Sequence, residues 1–173
     1  MKLLRTLHRE DFHPNGMAIC LKREAVRAVI FDQEGNIPIL YVSKENYYKL
    51  PGGGIEQGET KISALYREIM EETGCSVTNI TEIGEIDEFR KVHNLLQKNY
   101  CYLAKVAGKI RSPAFTAEEQ AAGFELLWLP LSESLKRTTE GRPQDEAGTM
   151  IRERDLIFLQ EAKKLTKERD EKG

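Results

Sequence analysis

Hydrophobic residues along this chain fall into short segments that are rich in β-branched side chains or alternate with polar positions, which is typical of strands. The predicted strands are Glu24–Phe31, Ile37–Val42, Ile80–Phe89, Lys98–Ala107 and Phe124–Leu129. The turn signal QEGN at residues 33–36 predicts that the first two strands form a hairpin. Pro38 then indicates that the second strand lies at a sheet edge, or that Pro38 stands among its first residues.

Other segments have helical character or are polar. A helix from about Thr60 to Thr73 can be capped by Thr60, and Gly74 suits the left-handed position after its end. Residues 131–135 can start a short helix, and residues 150–167 carry apolar residues near helical spacing. Residues 111–123 and 137–148 predict loops. Strands interleaved with helices predict an α/β (α+β) sandwich in which a mixed central sheet lies between helices.

The length of 173 residues suggests one domain with its own core, which we place at residues 23–167. Residues 1–22 precede it and could add a strand or a dimer contact, so a homodimer is one expectation. Residues 168–173 form a polar tail, which we expect to be frayed.

Charge and composition exclude several classes of protein. The net charge is -2 and the pI is about 6.0, so we expect no binding to nucleic-acid duplexes. No apolar run reaches the ~20 residues that a bilayer crossing needs, so we expect no membrane partner. The start MKLLRTLHREDFHP has charges where a signal peptide is apolar, which predicts a cytoplasmic protein. Three widely spaced cysteines without a CxxC pair favour small buried residues over disulfides or zinc ligands.

The helix that begins near Thr60 carries an unusual cluster of carboxylates. At about 100° per residue, Ile62, Leu65 and Ile69 share the face expected to dock on the sheet. The neighbouring sector holds Glu68, Glu71 and Glu72, at the spacing i, i+3 and i+4. Like charges at this spacing repel each other, and the helix itself offers only Lys61 and Arg67 as counter-charges. A solvated acidic face is one interpretation; a bound divalent cation such as Mg²⁺, which prefers oxygen ligands, is the other.

The preceding loop favours the cation. Gly52, Gly53 and Gly54 let the backbone come close to a ligand, and a loop that leads into a helix start offers N–H groups to anions. A glycine triplet alone is also compatible with a tight turn. Loop, helix and carboxylates at fixed spacing together predict a site for a metal ion and a phosphate-containing substrate.

The segment from Gly53 to Cys75 resembles the signature of the Nudix hydrolase family. That signature is Gly, five residues, Glu, seven residues, Arg-Glu, an aliphatic residue, any residue, Glu-Glu, any residue, Gly and an aliphatic residue. The positions that match are Gly53, Glu59, Arg67, Glu68, Ile69, Glu71, Glu72 and Gly74. Cys75 takes the closing aliphatic position, where a small hydrophobic residue packs equally well. The order of strands and helices is similar to the family's α/β/α sandwich.

The resemblance implies roles for particular residues. Glu68, Glu71 and Glu72 would bind Mg²⁺, or alternatively Mn²⁺, and the Gly53 carbonyl would add a ligand. Glu68 could instead activate the attacking water. Arg67 and Glu59 would hold the loop and helix together, partly by pairing with each other. Glu118 is a further candidate, because a downstream loop residue joins the site in many family members; a solvated loop or a short helix capped by Thr116 is its alternative.

The implied reaction is hydrolysis of a phosphoanhydride bond in a nucleoside diphosphate linked to a group X. Metal ions would reverse the sign of the acidic site and lower the pKa of a bound water. The segment EFRKVHN lacks the proline or tyrosine that marks ADP-ribose or dinucleoside-polyphosphate subgroups, which leaves a nucleoside triphosphate or its oxidised form, giving monophosphate and pyrophosphate. The alternatives are a nucleotide sugar as substrate, or a non-catalytic nucleotide-binding module on the same fold. Candidate stacking or phosphate contacts are Tyr47, Tyr48, Phe89, Tyr100, Trp128, Arg90, Lys91 and Lys98.

Overall fold

The computed structural model describes residues 1–8, 21–90 and 94–170, and these residues form two sheets and four helices. The strands are β1 (Leu3–Leu7), β2 (Leu21–Phe31), β3 (Asn36–Val42), β4 (Tyr47–Lys49), β5 (Ser76–Arg90), β6 (Leu95–Ala107) and β7 (Phe124–Pro130). The helices are α1 (Lys61–Thr73), α2 (Ala117–Ala121), α3 (Leu131–Glu140) and α4 (Glu146–Asp170). Within this part of the chain, no helix is long and apolar enough to cross a membrane.

The first sheet is mixed and has the strand order β1-β5-β6-β2. Strand β2 runs parallel to β6, β1 runs parallel to β5, and β5 and β6 are antiparallel. The second sheet is antiparallel, with β3 between β4 and β7. The N-terminal segment therefore does add a strand, while residues 9–20 lie outside the described residues.

The predicted hairpin of the first two strands is wrong. Strand β2 pairs with β6 along its whole length, from Leu21 opposite Leu95 to Phe31 opposite Lys105. The predicted turn is present, because the Asp32 N–H donates to the Asn36 carbonyl at 2.9 Å. The strand that follows it, β3, belongs to the other sheet. Because β4 covers only Leu40–Val42 of β3, no strand in the described part of the chain pairs with β3 beside Pro38 on that side.

Helices cover the sheets on opposite faces, which makes the molecule an α/β/α sandwich. Helix α1 packs on a cluster that includes Val26, Ile30 and Tyr102, through Leu65 and Ile69. Helix α4 covers the other cluster, where Phe158, Leu159 and Ala162 meet core residues of both sheets. Cys75 and Cys101 are buried free thiols in these clusters, as expected of small core residues.

Several element boundaries differ from the predictions. Helix α3 continues to Glu140 and α4 begins at Glu146, so most of the predicted loop at 137–148 is helical. The predicted loop at 111–123 contains α2, which begins after the Thr116 cap. Strand β5 starts at Ser76 rather than Ile80, and β4 was not predicted because three residues are too few for a pattern. Helix α4 extends into the expected tail as far as Asp170, and residues 171–173 lie outside the described part.

Candidate active site

The free edge of β2 holds the glycine loop. The Val26 N–H donates to the Gly53 carbonyl at 2.9 Å, and the Ala28 N–H donates to the Pro51 carbonyl at 3.0 Å. The Ile55 N–H returns a hydrogen bond of 2.9 Å to the Glu24 carbonyl. Because β2 pairs with β6 on its other side, the loop is fixed by backbone bonds to the mixed sheet.

Two glycines allow close contacts that a side chain would prevent. Gly52 has a φ of +133°, and a Cβ there would lie 2.1 Å from the Val26 carbonyl oxygen. A Cβ on Gly53 would lie 2.4 Å from the Glu68 Oε1 atom. The loop therefore needs glycine at position 52 to lie against β2, whereas glycine at position 53 leaves room for the Glu68 carboxylate in its observed place.

Residues at the two ends of α1 fix where this helix begins and ends. Thr60 Oγ1 accepts a hydrogen bond of 3.1 Å from the Ser63 N–H, and Ser63 Oγ accepts one of 2.8 Å from the Thr60 N–H. At the other end, Gly74 takes the left-handed conformation with φ of +69°, and its N–H donates to the Met70 carbonyl. Both helix ends lie where the sequence predicts them, apart from one residue at the start.

The buried face of α1 includes two of the three glutamates. Glu68 and Glu72 are 9% and 1% exposed, whereas the side chain of Glu71 is 46% exposed. Ile62 was expected to dock on the sheet, but it is 39% exposed because the buried face is centred nearer the glutamates. The carboxylates therefore do not form a solvated acidic stripe.

Glu72 is the most deeply placed of the three. Its Oε1 atom accepts a hydrogen bond of 2.8 Å from Lys49 Nζ, and its Oε2 atom accepts one of 2.6 Å from the Gly52 N–H. Burial raises the pKa of Glu72, and the ion pair with Lys49 opposes that shift. Glu72 thus connects α1 to Lys49 at the end of β4 and to Gly52 in the glycine loop.

Arg67 connects the remaining acidic groups. Its guanidinium forms two bonds of 2.8 Å to Glu59, one of 2.8 Å to Glu68 and one of 3.3 Å to Glu71. It also donates to the Gly54 carbonyl at 2.9 Å. The Arg67 hydrogen bonds lower the pKa of Glu59 to about 2. The ion pair expected between Arg67 and Glu59 is therefore present.

The protein itself supplies counter-charge for the glutamates. Lys49 pairs with Glu72, and Arg67 bridges Glu68 and Glu71. Among the described residues, no three His, Cys, Asp or Glu side chains already surround one point as metal ligands do. A divalent ion would therefore have to take over contacts that Arg67 makes.

The donor set nevertheless suits a hard divalent cation. Glu68, Glu71, Glu72 and Gly53 line one cleft with a volume of about 680 Å³. Carboxylate and carbonyl oxygens are the ligands that Mg²⁺ prefers, and the Gly53 carbonyl keeps a second lone pair beside its bond to Val26.

Glu118 reaches the same cleft from α2. The cleft lining includes Thr116, Glu118 and Glu119. The Glu119 carboxylate accepts a hydrogen bond of 2.8 Å from the Thr116 N–H and so serves the helix cap. The connecting segment is fixed to α1, because the Ala114 N–H donates to the Glu71 carbonyl at 2.7 Å. The structure thus places Glu118 in the lining of the same cleft as the three glutamates.

The predicted aromatic and basic contacts do not line this cleft, although Lys98 lines a neighbouring cavity. The cleft lining includes none of Tyr47, Tyr48, Tyr100 or Trp128. Arg90 bonds to Glu88, Lys98 lies 3.3 Å from Asp87, and Lys91 falls outside the described residues. The prediction missed Arg23, Arg27 and Lys49, which do line the cleft. An arginine inside the apolar run EAVRAVIF and a lysine just before PGGG were the available signals.

Comparison with known proteins agrees with this arrangement. Residues 21–163 match the sequence model of the NUDIX domain. Over 82 residues the chain is 33% identical to a protein named RNA pyrophosphohydrolase from Sulfurovum sp. (strain NBC37-1), covering 47% of this chain and 48% of that protein. A protein of the same name from Dinoroseobacter shibae is 32% identical over 80 residues, covering 45% and 50%. The match thus spans about half the length of these curated relatives.

Solved structures show the same fold at lower identity. The NUDIX domain of Shewanella oneidensis NrtR, solved with ADP-ribose, aligns with a TM-score of 0.58 and 14% identity, covering 90% of this chain and 94% of that one. A MutT protein from Bacillus halodurans aligns with a TM-score of 0.55 and 20% identity, covering 76% and 80%. The fold and cleft define a protein of the Nudix class. Because the family match covers most of the chain, this chain belongs to the NUDIX domain family.

Proposed function

We propose that this protein is a Mg²⁺-dependent pyrophosphohydrolase that cleaves a phosphoanhydride bond in a nucleoside diphosphate linked to X, with Mn²⁺ as an alternative ion. The observation that carries the proposal is the convergence of Glu68, Glu71, Glu72 and the Gly53 backbone on one cleft. Family members generally use divalent metal ions. The same four residues would hold the ion here.

Metal ions in such a site neutralise phosphate charge and lower the pKa of bound water. The protein's own groups have distinct tasks. Glu72 is bonded on both oxygens, to Lys49 and to the Gly52 N–H, so it serves as a fixed ligand rather than a proton acceptor. Glu68 is the candidate for accepting the water proton, with Glu118 as a second candidate at the same cleft. Arg67 holds Glu68 and Glu71 in place before the substrate binds.

The preferred substrate class is a nucleoside triphosphate or its oxidised form, giving monophosphate and pyrophosphate. The relatives named RNA pyrophosphohydrolase suggest a second candidate, the triphosphate at an RNA 5′ end. A neighbouring cavity of about 640 Å³ adjoins the cleft, and its lining carries three basic residues, Lys22, Arg23 and Lys98, as well as the carboxylates of Glu24, Glu56 and Glu59. The two cavities share Arg23, Ile55 and Glu56, so a longer polyanionic substrate could extend from one into the other.

The test is product analysis on a panel of nucleoside triphosphates, oxidised triphosphates, nucleotide sugars, ADP-ribose and a 5′-triphosphorylated RNA oligonucleotide. Each substrate is assayed with Mg²⁺, with Mn²⁺ and with EDTA. Reaction in ¹⁸O-labelled water followed by mass spectrometry identifies the phosphorus that is attacked. The expected result is metal-dependent release of pyrophosphate or phosphate that Glu71→Gln abolishes and Glu161→Gln, a change on α4 outside the cleft, leaves intact.

Two outcomes would contradict the proposal. Tight nucleotide binding without turnover on any substrate would favour the non-catalytic module instead. Full activity in Glu71→Gln would reject the assignment of the metal ligands, even if the protein remained an active hydrolase.

A further inference from the structure

A buried charged network lies between α4 and the mixed sheet, outside the cleft described above. Arg154, Asp155, Glu88 and Asn99 are all 0% exposed. Charges at such depth are costly unless they are paired and hydrogen-bonded. Their partners therefore show what the network holds together.

Asp155 divides its two carboxylate oxygens between two different parts of the chain. Oδ1 accepts a hydrogen bond of 2.7 Å from Arg154 Nε. Oδ2 accepts one of 2.8 Å from the backbone N–H of Leu50, 105 residues away in sequence. Leu50 is itself buried, so its N–H has no access to bulk water when this bond is lost.

Arg154 fixes the position of Asp155 relative to the sheet. Its Nη1 atom donates to Glu88 Oε1 on β5 at 2.9 Å and to Asn99 Oδ1 on β6 at 3.2 Å. Glu88 Oε1 also accepts a hydrogen bond of 3.0 Å from Asn99 Nδ2. The guanidinium is thus tied to two adjacent strands, and Asp155 is held as an acceptor of defined position.

Leu50 stands between the two groups that hold Glu72. Lys49 precedes it and donates to one oxygen of Glu72, while Gly52 follows it and donates to the other. The Leu50 bond to Asp155 fixes this short segment from the side opposite α1. We infer that Asp155 is a positioning residue: it fixes the position of residues 49–52 and, through them, the position of the Glu72 carboxylate. This inference rests on the proposed function.

A purely stabilising role would not require ions at this place. Apolar side chains adjoin the network, with Phe158 and Leu159 on the same helix in the core cluster, and Arg27 and Gln97 are further buried polar neighbours. A protein in which well-packed apolar residues replace a buried ion pair is often equally stable, whereas a buried ion pair requires a particular geometry. Catalytic groups lose activity steeply when displaced, by roughly a hundredfold for an error of about 1 Å.

The discriminating variant is Asp155→Asn, which keeps the shape but has one acceptor oxygen instead of two. In the same placement, the asparagine presents its NH2 group to one of the two donors, Arg154 Nε or the Leu50 N–H, so one contact is lost. The matched control is Phe158→Leu on the same helix, which loosens the core cluster that also contains Leu50 but removes none of the hydrogen bonds of the network. Amide hydrogen exchange of Leu50 and Gly52, Mn²⁺ affinity by electron paramagnetic resonance, and kcat and KM are measured for both variants, well below their unfolding temperatures.

For Asp155→Asn we expect exchange at Leu50 and Gly52 to be at least about tenfold faster, Mn²⁺ affinity to fall about tenfold, and kcat to fall about tenfold or more with little change in KM. Phe158→Leu should show a comparable loss of thermal stability with none of these changes. Equal exchange rates and equal kcat in the two variants would overturn the inference. Should Asp155→Asn fail to fold, Arg154→Lys, which removes the Nε donor, should move the same readouts in the same direction.

Exchange and Mn²⁺ binding do not depend on turnover, so they separate this inference from the proposed function. If the wild-type protein hydrolyses no substrate, the exchange difference still decides whether Asp155 holds the loop. If hydrolysis occurs and the exchange rates match, the proposed function stands and the positioning role is rejected.

Discussion

The carboxylate of Glu72 is paired with the ammonium of Lys49 at 2.8 Å, between α1 and the short strand that precedes the glycine loop. The side chains are 2% and 12% exposed, so little solvent screens the pair. Burial raises the pKa of Glu72, and Lys49 is the main influence that opposes the shift. Lys49 thus favours the ionised form of Glu72, against the effect of burial.

Replacing Lys49 with Met should therefore destabilise the fold. The change leaves Glu72 buried without its cation, which typically costs about 3 kcal/mol. Urea unfolding at pH 7 measures the loss. The control Lys164→Met removes an exposed ion pair with Glu161 on α4 and should change the free energy of unfolding by less than about 1 kcal/mol. Equal effects of the two variants would contradict the buried role of Lys49.

Divalent ions should stabilise the folded protein through the glutamates. At ten times the dissociation constant, binding to the native state alone contributes about 1.4 kcal/mol, which raises Tm by about 3 to 6 °C for a domain of this size. Thermal unfolding with Mg²⁺ or EDTA measures the shift. Glu71→Gln should reduce the shift strongly, because Glu71 is exposed enough to be changed without cost to the apo fold. An undiminished shift in that variant would place the ion elsewhere.

Gly53→Ala should reduce activity while leaving the protein folded. The added Cβ would lie 2.4 Å from Glu68 Oε1, so the carboxylate must move away from the cleft. We expect kcat to fall by at least about tenfold. Gly54→Ala is the matched control and should lose less activity. Its Cβ would meet the flexible end of the Arg23 side chain at 2.9 Å, and this end can move aside. Steady-state kinetics that show the larger loss in Gly54→Ala would contradict this assignment.

Stability at acid pH should report the Glu59–Arg67 pair. Arg67 lowers the pKa of Glu59 from its ordinary 4.5 to about 2, so the folded state holds the ionised form more strongly than the unfolded chain does. The contribution is complete above pH 4.5 and disappears as pH falls towards 2. The difference in unfolding free energy between wild type and Glu59→Gln should therefore be constant near neutral pH. It should shrink as the pH falls from 4.5 towards 2. A difference that is independent of pH would exclude the ion pair as its cause.

Gly74→Ala should be among the most destabilising changes of a glycine. Its φ is +69°, and a Cβ would lie 2.0 Å from the Arg111 carbonyl oxygen, so both strain and a backbone clash oppose it. Gly35→Ala isolates the first effect, since Gly35 has φ of +84° with nothing within 4 Å. We expect a cost of about 1 kcal/mol for Gly35→Ala and clearly more for Gly74→Ala, measured by urea unfolding. Equal costs would mean that the segment at Arg111 shifts freely.

Local signals explain the parts of this protein that the sequence predicted well. Thr60 and Gly74 mark the ends of α1 because capping and left-handed conformations depend only on near neighbours. The spacing of Glu68, Glu71 and Glu72 follows from helical geometry for the same reason. The hairpin prediction was wrong because β6 pairs with one side of β2 and the glycine loop bonds to the other side, which leaves no place for β3. Both neighbours are distant in sequence, so no local signal reveals them.

From the sequence alone, the chain determines where α1 begins and ends and which acidic groups lie together on it, because backbone geometry within one helix relates only residues a few positions apart. The tertiary structure alone decided which group outside α1 pairs with Glu72 and how the adjoining loop is held. Lys49 reaches Glu72 across 23 residues, and Asp155 reaches Leu50 across 105. Such pairings depend on the path of the chain between the partners, and that path is set by how strands and helices bury their apolar faces together.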